Sequence, residues 1–211
     1  QDYYPTYEDI KNAFIDFICK LPSGGTLIYC ADDRGAVEAA EAAYKKRGDI
    51  EMIPYGESAQ GDYRLTIGKT ENEAQHFEIG FLGEAALYVP GKHEALDACA
   101  ASALVREIIK TAGKDPSAYR ERIVRGLANF RGGKRRSEVI GKAFAGKNSV
   151  VFIDDYGHHP TAIKTTLKGF REFYGGRKII VDFMSHTYTR TASLLEEFAS
   201  AFSDADEVIL H

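Results

Sequence analysis

The sequence predicts an α/β protein built in two consecutive parts, and three observations support this fold class. Apolar strand patterns alternate with helical patterns over residues 6–55. A period-two pattern occupies residues 62–89, and a strand, helix, strand, helix, strand succession runs from residue 149 to residue 210. The alternating stretches are typical of parallel strands covered by helices, whereas the period-two stretch favours a small antiparallel sheet.

The first part begins with a helix. Thr-Tyr-Glu-Asp at 6–9 has the pattern of a capping box, and a strand at 26–30, a helix and a second strand at 51–55 follow. Asp32 and Asp33 are both expected to cap the helix between the two strands. Four apolar residues recur at helical spacing and predict the buried face of the first helix: Ile10, Phe14, Phe17 and Ile18.

The period-two stretch predicts three antiparallel strands before a long helix. We expect this helix to span 92–111 and to end at Gly113, and Asp-Pro-Ser at 115–117 to cap a further helix. Four residues of that further helix are expected to point inward: Tyr119, Ile123, Leu127 and Phe130.

The composition turns abruptly basic near residue 130. We therefore predict a domain boundary there, with domains at 1–130 and 131–211. The second domain is a predicted βαβαβ run with elements at 149–153, 161–174, 178–183, 191–202 and 207–210.

Composition narrows the functional classes. The chain has 211 residues and a net charge of −4, which gives no reason to expect a nucleic-acid partner. No apolar run is long enough to span a bilayer. The three cysteines are odd in number and widely spaced in apolar segments, as in a reduced cytosolic protein.

A run of polar residues follows the strand predicted at 149–153. The strand is expected to be buried and parallel, and it leads into Asp-Asp-Tyr-Gly-His-His-Pro-Thr at 154–161, where a helix begins. Ligands bind at the carboxyl ends of strands in open α/β sheets, so this loop is a candidate site. The alternative is a helix N-cap with two surface histidines.

Two further features carry charge. Arg-Gly-Gly-Lys-Arg-Arg at 131–136 offers cations and flexible amides that suit a phosphate or a carboxylate, or it is a solvated interdomain loop. His93 and Asp97 stand four residues apart on the long helix and share a face, either toward a ligand or as a surface ion pair.

A second polar loop follows the strand predicted at 178–183 and contains His186 and Arg190. With the loop at 154–161, it forms a constellation suited to an anionic substrate and a nucleotide ribose. The chain contains no activated nucleophile of the elbow type, no His-Glu-x-x-His and no Cys-x-x-Cys, so a protein-built zinc site is not expected.

Three motifs together resemble the Mur ligases. They are Phe-x-Gly-x-x-Arg-Arg at 130–136, Asp-Asp-Tyr-Gly-His-His-Pro-Thr at 154–161 and Phe-x-x-His-x-x-x-Arg at 183–190. The resemblance implies a cytoplasmic bacterial enzyme of peptidoglycan synthesis, which serves cell-wall biogenesis, cell shape and cell division. It implies the later part of the family's central ATPase domain, with helices and a small antiparallel sheet, followed by the first βαβαβ part of a Rossmann-like C-terminal domain.

Within the family, the resemblance is to the members that join L-alanine to UDP-N-acetylmuramate through an acyl phosphate, using ATP and Mg²⁺. It implies that His93 and Asp97 contact adenine and that Arg136 reaches the nucleotide phosphates. The roles implied in the loop at 154–161 are ribose binding by Asp155 and contacts of Tyr156 and His158 with the nucleotide and the amino acid. The resemblance also places His186 and Arg190 on the incoming amino acid or its product.

The catalytic set that this resemblance implies is therefore Arg136, His158, His186 and Arg190. Its implied partners are small molecules, with no nucleic acid and no membrane, and the metal ligands are expected outside the chain. Because the sequence lacks a Gly-x-x-Gly-Lys-Thr phosphate loop, the chain by itself is expected to be inactive.

This sequence departs from the family pattern at several positions. Glu94 and Asp97 replace usual asparagines, and an ionised aspartate can only accept hydrogen bonds. Met184 and Ser185 replace a usual Gln-Pro, and Ala162 replaces a common glutamate, as in the family member that recycles murein tripeptide. That recycling ligase and a non-catalytic nucleotide- or amino-acid-binding module remain the alternatives.

Overall fold

The computed structural model describes residues 3–145, 148–185 and 188–211, and within these ranges the side chains of Ala145, Asn148, Tyr188 and Arg190 lie outside the description. The helices are α1 (Tyr7–Ile18), α2 (Arg34–Lys46), α3 (Lys92–Thr111), α4 (Arg120–Asn129), α5 (Pro160–Phe173), α6 (Tyr188–Ser193) and α7 (Leu195–Ala201). The strands are β1 (Thr26–Cys30), β2 (Glu51–Tyr55), β3 (Leu65–Glu71), β4 (Ala74–Ile79), β5 (Gly83–Leu87), β6 (Glu138–Ala145), β7 (Asn148–Asp154), β8 (Ile180–Phe183) and β9 (Glu207–Leu210). Short 3₁₀ helices occupy Gly61–Tyr63 and Pro116–Tyr119.

The chain forms two compact units. The first contains Gln1–Ile67, Phe77–Ala85 and Leu96–Val124, and the second contains Gly68–His76, Ala86–Ala95 and Arg125–His211. The domain boundary near residue 130 stays a prediction.

Helix α1 packs on α2 in the first unit. Its capping box is confirmed, because Thr6 and Asp9 each accept a hydrogen bond from the backbone of the other. The predicted buried face is wrong except at Ile18: Phe14 and Phe17 are 59% and 71% exposed. Apolar residues surround much of this helix, so periodicity alone could not select the face that meets the alanines of α2. The buried cluster is Ile15, Ile18, Ala39, Ala43 and Ile50.

Strands β1 and β2 are parallel, with Tyr29 opposite Pro54. Asp33 caps α2 as predicted, but Asp32 does not. The Asp32 carboxylate instead accepts hydrogen bonds from the backbone N–H groups of Glu57 and Ser58, at 2.8 and 2.7 Å. Burial alone would raise the pKa of Asp32, but hydrogen bonds from Ser58 and Glu57 outweigh it and leave the pKa below its usual value.

The three strands predicted from the period-two stretch form one sheet in the order β3, β4, β5. Asn72 and Glu73 connect β3 to β4 with φ angles of 54° and 53°, the left-handed conformation of a two-residue hairpin turn. Helix α3 spans the predicted residues and Gly113 follows it with a φ of 70°. After Asp115, the next helix begins as a 3₁₀ turn, and Phe130, predicted to point inward, is 42% exposed.

The second unit contains an antiparallel hairpin, β6–β7, and a parallel pair, β8–β9. The succession β7, α5, β8, helix, β9 is as predicted, although α6 and α7 replace one predicted helix. The prediction of a buried parallel strand at 149–153 is wrong. Its described partner is the unpredicted strand β6, and Val150 and Phe152 are 43% and 51% exposed. A short apolar run does not specify the direction of its partner strand.

Helix α5 packs on α7, and its backbone also lies close to that of Gly91. The buried cluster of this helix pair is Ile163, Leu167, Phe198 and Ala201. A Cβ atom built on Gly169 of α5 would lie 2.8 Å from the Cα atom of Gly91, so only glycine fits at position 169.

Candidate nucleotide and amino-acid site in the second unit

The loop after β7 leads directly into α5. His159 is the N-cap residue, and its Nδ1 atom accepts a hydrogen bond from the Thr161 N–H at 3.3 Å. Pro160 occupies the first turn, where its missing N–H costs nothing. The helix start predicted at this position is confirmed. The role that the structure shows for His159 is that of the N-cap residue.

Asp155 joins this loop to the segment that follows the basic residues. One carboxylate oxygen, Oδ2, accepts a hydrogen bond from the Ser137 N–H at 2.8 Å. The other, Oδ1, accepts one from the Gly157 N–H, also at 2.8 Å. Oδ2 also accepts a hydrogen bond from the Ser137 hydroxyl at 3.4 Å. Oδ1 has a further lone pair, so Asp155 keeps the capacity to accept a hydrogen bond from a ribose hydroxyl.

Arg135, within the basic residues, makes a second connection to the loop after β7. Sequence reasoning did not select this residue. Its φ of 56° is left-handed, and its carbonyl accepts a hydrogen bond from the Tyr156 N–H at 2.9 Å. Its guanidinium lies over the Tyr156 ring, 4.9 Å from the centroid, and its Nε atom is 3.4 Å from Asp154 Oδ2. The two adjacent arginines in the sequence were the signal that could have indicated this contact. The sequence could not show which of the two faces the loop after β7.

Tyr156 and His158 lie side by side, with ring centroids 4.9 Å apart. The Nδ1 atom of His158 is 3.0 Å from the backbone oxygen of Tyr156. A carbonyl oxygen can only accept, so Nδ1 carries the proton in this contact. In the neutral ring, Nε2 is then the acceptor.

Arg136 differs from Arg135 in its surroundings. Its side chain is exposed, and its N–H donates to the Gly133 carbonyl at 3.0 Å, which closes a tight turn. Gly132 in the same loop has a φ of 92°. The loop therefore presents a solvent-facing guanidinium beside a glycine-rich backbone, a combination that suits an anionic oxygen.

The remaining predicted site residues lie elsewhere on the chain. His93 is half-buried on α3, where its Nε2 atom is 3.8 Å from the Glu94 carboxylate, and Asp97 is exposed on the same helix. His186 lies outside the described residues. Arg190 lies on α6, and its side chain is outside the description. Of the predicted set, the structure brings together Asp155, Tyr156 and His158, with Arg136 in the adjoining loop.

No group of three or more His, Cys, Asp or Glu side chains is arranged to hold a metal ion in the part of the chain that the structure describes. None of the helices within 3–145, 148–185 and 188–211 is both long and apolar enough to cross a membrane.

Comparison with protein families places the whole arrangement in a known context. The sequence model of the Mur ligase middle domain matches residues 1–105, and that of the Mur ligase glutamate ligase domain matches residues 135–211. The chain belongs to the Mur ligase family. The family assignment made from the three motifs is thereby confirmed, as is the corresponding fold class.

Curated relatives in the Mur ligase family are similar to the chain over its whole length. The UDP-N-acetylmuramate–L-alanine ligase of Treponema pallidum (strain Nichols) is 46% identical over 213 residues, which cover 100% of this chain and 44% of the relative. The Borreliella burgdorferi protein of the same name is 34% identical, with the same coverage. The chain thus spans about 44% of the length of these relatives.

Several solved ligase structures are similar to the chain in fold. The UDP-N-acetylmuramate–alanine ligase of Thermotoga maritima superimposes with a TM-score of 0.67 at 23% identity, covering 99% of this chain and 42% of the other. The folylpolyglutamate synthetase of Lactobacillus casei gives 0.63 at 13% identity, with coverages of 97% and 56%. The murein peptide ligase of Psychrobacter arcticus gives 0.56 at 22% identity, with coverages of 95% and 40%.

Proposed function

We propose that the chain serves in a cytoplasmic, ATP-dependent ligase that joins L-alanine to the carboxylate of UDP-N-acetylmuramate. The observation that carries this proposal is the 46% identity to the Treponema pallidum ligase of that name across the entire chain. Amide formation from a carboxylate needs an activated acyl group, and ATP supplies the phosphoryl group for that activation.

The site residues fit the nucleotide by their chemistry. The exposed guanidinium of Arg136 would pair with phosphate oxygens, because a planar fork binds such oxyanions bidentately. Asp155, whose Oδ1 atom retains a lone pair beside the Gly157 N–H, would accept a hydrogen bond from a ribose hydroxyl. We propose adenine contacts for His93 and Asp97, with Asp97 restricted to accepting hydrogen bonds from the base.

The amino-acid side of the site is assigned to the neighbouring aromatic pair and to the next loop. Tyr156 and His158 would border the incoming amine, and His158 offers Nε2 as an acceptor for it. We propose that Arg190 binds the amino-acid carboxylate and that His186 assists it. These groups act by holding and orienting the reactants, which is the main source of rate in such transfers.

A second candidate is the ligase that attaches a recycled murein tripeptide to the same muramoyl carboxylate. Ala162 at the start of α5 favours it, because the recycling ligase tends to carry alanine where other family members commonly have a glutamate. A third candidate is a binding module that uses the same loops without catalysis.

The deciding experiment is phosphate release by the product of the complete open reading frame, with ATP, Mg²⁺ and UDP-N-acetylmuramate. We expect stimulation by L-alanine and none by the tripeptide. Stimulation only by the tripeptide would move the assignment to the recycling ligase. Binding of ATP without turnover on either substrate would leave the binding module.

The 211-residue chain by itself is expected to release no phosphate in the same assay. Its sequence has no Gly-x-x-Gly-Lys-Thr loop to hold the transferred phosphoryl group. Turnover by this chain alone would contradict that expectation.

A further inference from the structure

The two adjacent arginines of the basic loop have different surroundings. Both side chains are exposed, but Arg135 contacts the neighbouring loop through its backbone and its side chain. The Arg135 N–H also donates to the Glu138 carboxylate at 2.8 Å. This anchoring holds Arg135 in its left-handed conformation, so its side chain is directed back over the loop that contains Tyr156.

Three planar groups lie next to one another in succession as a result, with the Tyr156 and His158 planes tilted by 50°. The guanidinium of Arg135 lies 4.9 Å from the Tyr156 centroid, and the Tyr156 ring lies 4.9 Å from the His158 ring. A cation over an aromatic face restricts rotation of the ring, because any other rotamer loses the interaction. The Asp154 carboxylate, at 3.4 Å from Arg135 Nε, is a second restraint on the guanidinium.

The last group in this succession, the His158 ring, is the one that offers an acceptor. His158 Nδ1 donates to the Tyr156 backbone oxygen at 3.0 Å, which fixes the less common tautomer and leaves Nε2 unprotonated in the neutral ring. The orientation of Nε2 therefore depends on the position of Tyr156. Tyr156 in turn is held by Arg135 on its face and by the Arg135 carbonyl at its N–H.

We propose that Arg135 is a positioning residue that fixes Tyr156 and, through it, the tautomer and orientation of His158 for an amino group. Arg136 is the member of the pair that meets the anion. The assignment of the amino group to an amino-acid substrate rests on the proposed function, whereas the control of His158 by Arg135 does not.

The test compares Arg135→Ala and Arg135→Lys in the product of the complete open reading frame. Alanine leaves the backbone hydrogen bonds of residue 135 possible and removes the side-chain contacts with Tyr156 and Asp154. Arg122→Ala is the matched control, because Arg122 lies 5.5 Å from the centroid of Tyr119 in an equivalent contact on the 3₁₀ turn and α4. The first readout is the ¹⁵N NMR signature of the His158 ring, assigned with His158→Gln. The second is the pair of KM values for the amino acid and for ATP.

We expect Arg135→Ala to move the His158 signals from the Nδ1–H pattern toward the commoner Nε2–H pattern. We also expect it to raise the KM for the amino acid about tenfold, with the KM for ATP changed less than about twofold. Arg135→Lys should recover part of both effects, because the ammonium retains the charge but not the planar guanidinium. Arg122→Ala should change neither readout.

Two results would overturn the proposal. The first is an unchanged His158 signature in Arg135→Ala. The second is an equal rise in both KM values together with a lowered Tm, which indicates a general structural role. If no amino acid stimulates turnover, the proposed function fails while the NMR comparison still decides whether Arg135 controls His158.

Discussion

At the residue scale, one carboxylate ties together the two segments of the candidate site. Asp155 accepts backbone hydrogen bonds from Ser137 and Gly157, one on each oxygen. Hydrogen bonds to a charged acceptor are stronger than those between neutral groups. The residue assigned to ribose from the sequence is therefore also a structural tie, and its two roles are separable by experiment.

We expect Asp155→Asn to lower the free energy of unfolding by about 1 to 2 kcal/mol, because an amide offers one acceptor where two backbone donors converge. Urea denaturation measures this change. Asp154→Asn is the matched control, since that carboxylate is 40% exposed and contacts Arg135 at 3.4 Å, and it should cost less than about 0.5 kcal/mol. Equal losses in the two variants would contradict the assigned role of Asp155.

Sequence predicted individual residues well where their partners are local. The capping box of Thr6 and Asp9 and the cap at Asp33 involve groups three residues away. Asp32 was misassigned because its partners, Glu57 and Ser58, are distant in sequence. Arg135 was missed for the same reason.

At the element scale, helix existence was predictable and strand partnership was not. The bounds of α3 and β9 agree with the sequence prediction, because periodicity and end signals are local. Strand β6 was missed, and so was its pairing with β7, which places residues as far apart as Glu138 and Asp154 opposite each other. Sequence patterns also could not select which apolar face of α1 would meet α2.

Two helical glycines, Gly169 and Gly126, are expected to respond to alanine substitution with opposite changes in stability. Gly169→Ala should destabilise the protein by about 1 to 3 kcal/mol, since its Cβ would lie 2.8 Å from Gly91 Cα. Gly126→Ala should stabilise it by about 0.5 to 1 kcal/mol, because Gly126 is helical and nothing lies within 4 Å of its added Cβ. Urea denaturation of both variants checks the pair. A stabilising Gly169→Ala would show that α5 can move away at little cost.

At the scale of the whole molecule, the family was the most accurate prediction from sequence. The three motifs lie in loops whose spacing is set by the elements between them, so their order and distance identify the fold. The predicted roles of His186 and Arg190 depend on the loop after β8 and on side chains outside the described residues. They stay predictions alongside the adenine contacts of His93 and Asp97.

A thiol and a phenol in the first unit have raised pKa values, which predict a loss of stability at alkaline pH. Burial raises the pKa of Cys99 from 9.0 to about 12 and that of Tyr55 from 10.0 to about 12. Above pH 9 the unfolded chain loses the Cys99 proton while the folded chain keeps it, so the free energy of unfolding falls as pH rises. The full contribution is present below pH 9, and the decline ends near pH 12.

The expected slope from Cys99 approaches about 1.4 kcal/mol per pH unit once the unfolded thiol is ionised. Urea denaturation at pH 8 to 10 measures it, and this range ends where the unfolded form of Tyr55, with an ordinary pKa of 10.0, is half ionised. In Cys99→Ala the absolute stability will be lower, but the decline between pH 9 and 10 should be shallower. Identical slopes in the two proteins would rule out Cys99 as the source.

The proline of β2 has a consequence for self-association. The Glu51 N–H donates to Gly25 and the Tyr55 carbonyl accepts from Ala31, so alternate residues 51, 53 and 55 direct their amides toward β1. The nitrogen of Pro54 therefore lies on the opposite edge and carries no hydrogen. A foreign strand added along that edge would lack one of the ladder bonds it requires, and β2 is a poor template for aggregation during synthesis and refolding.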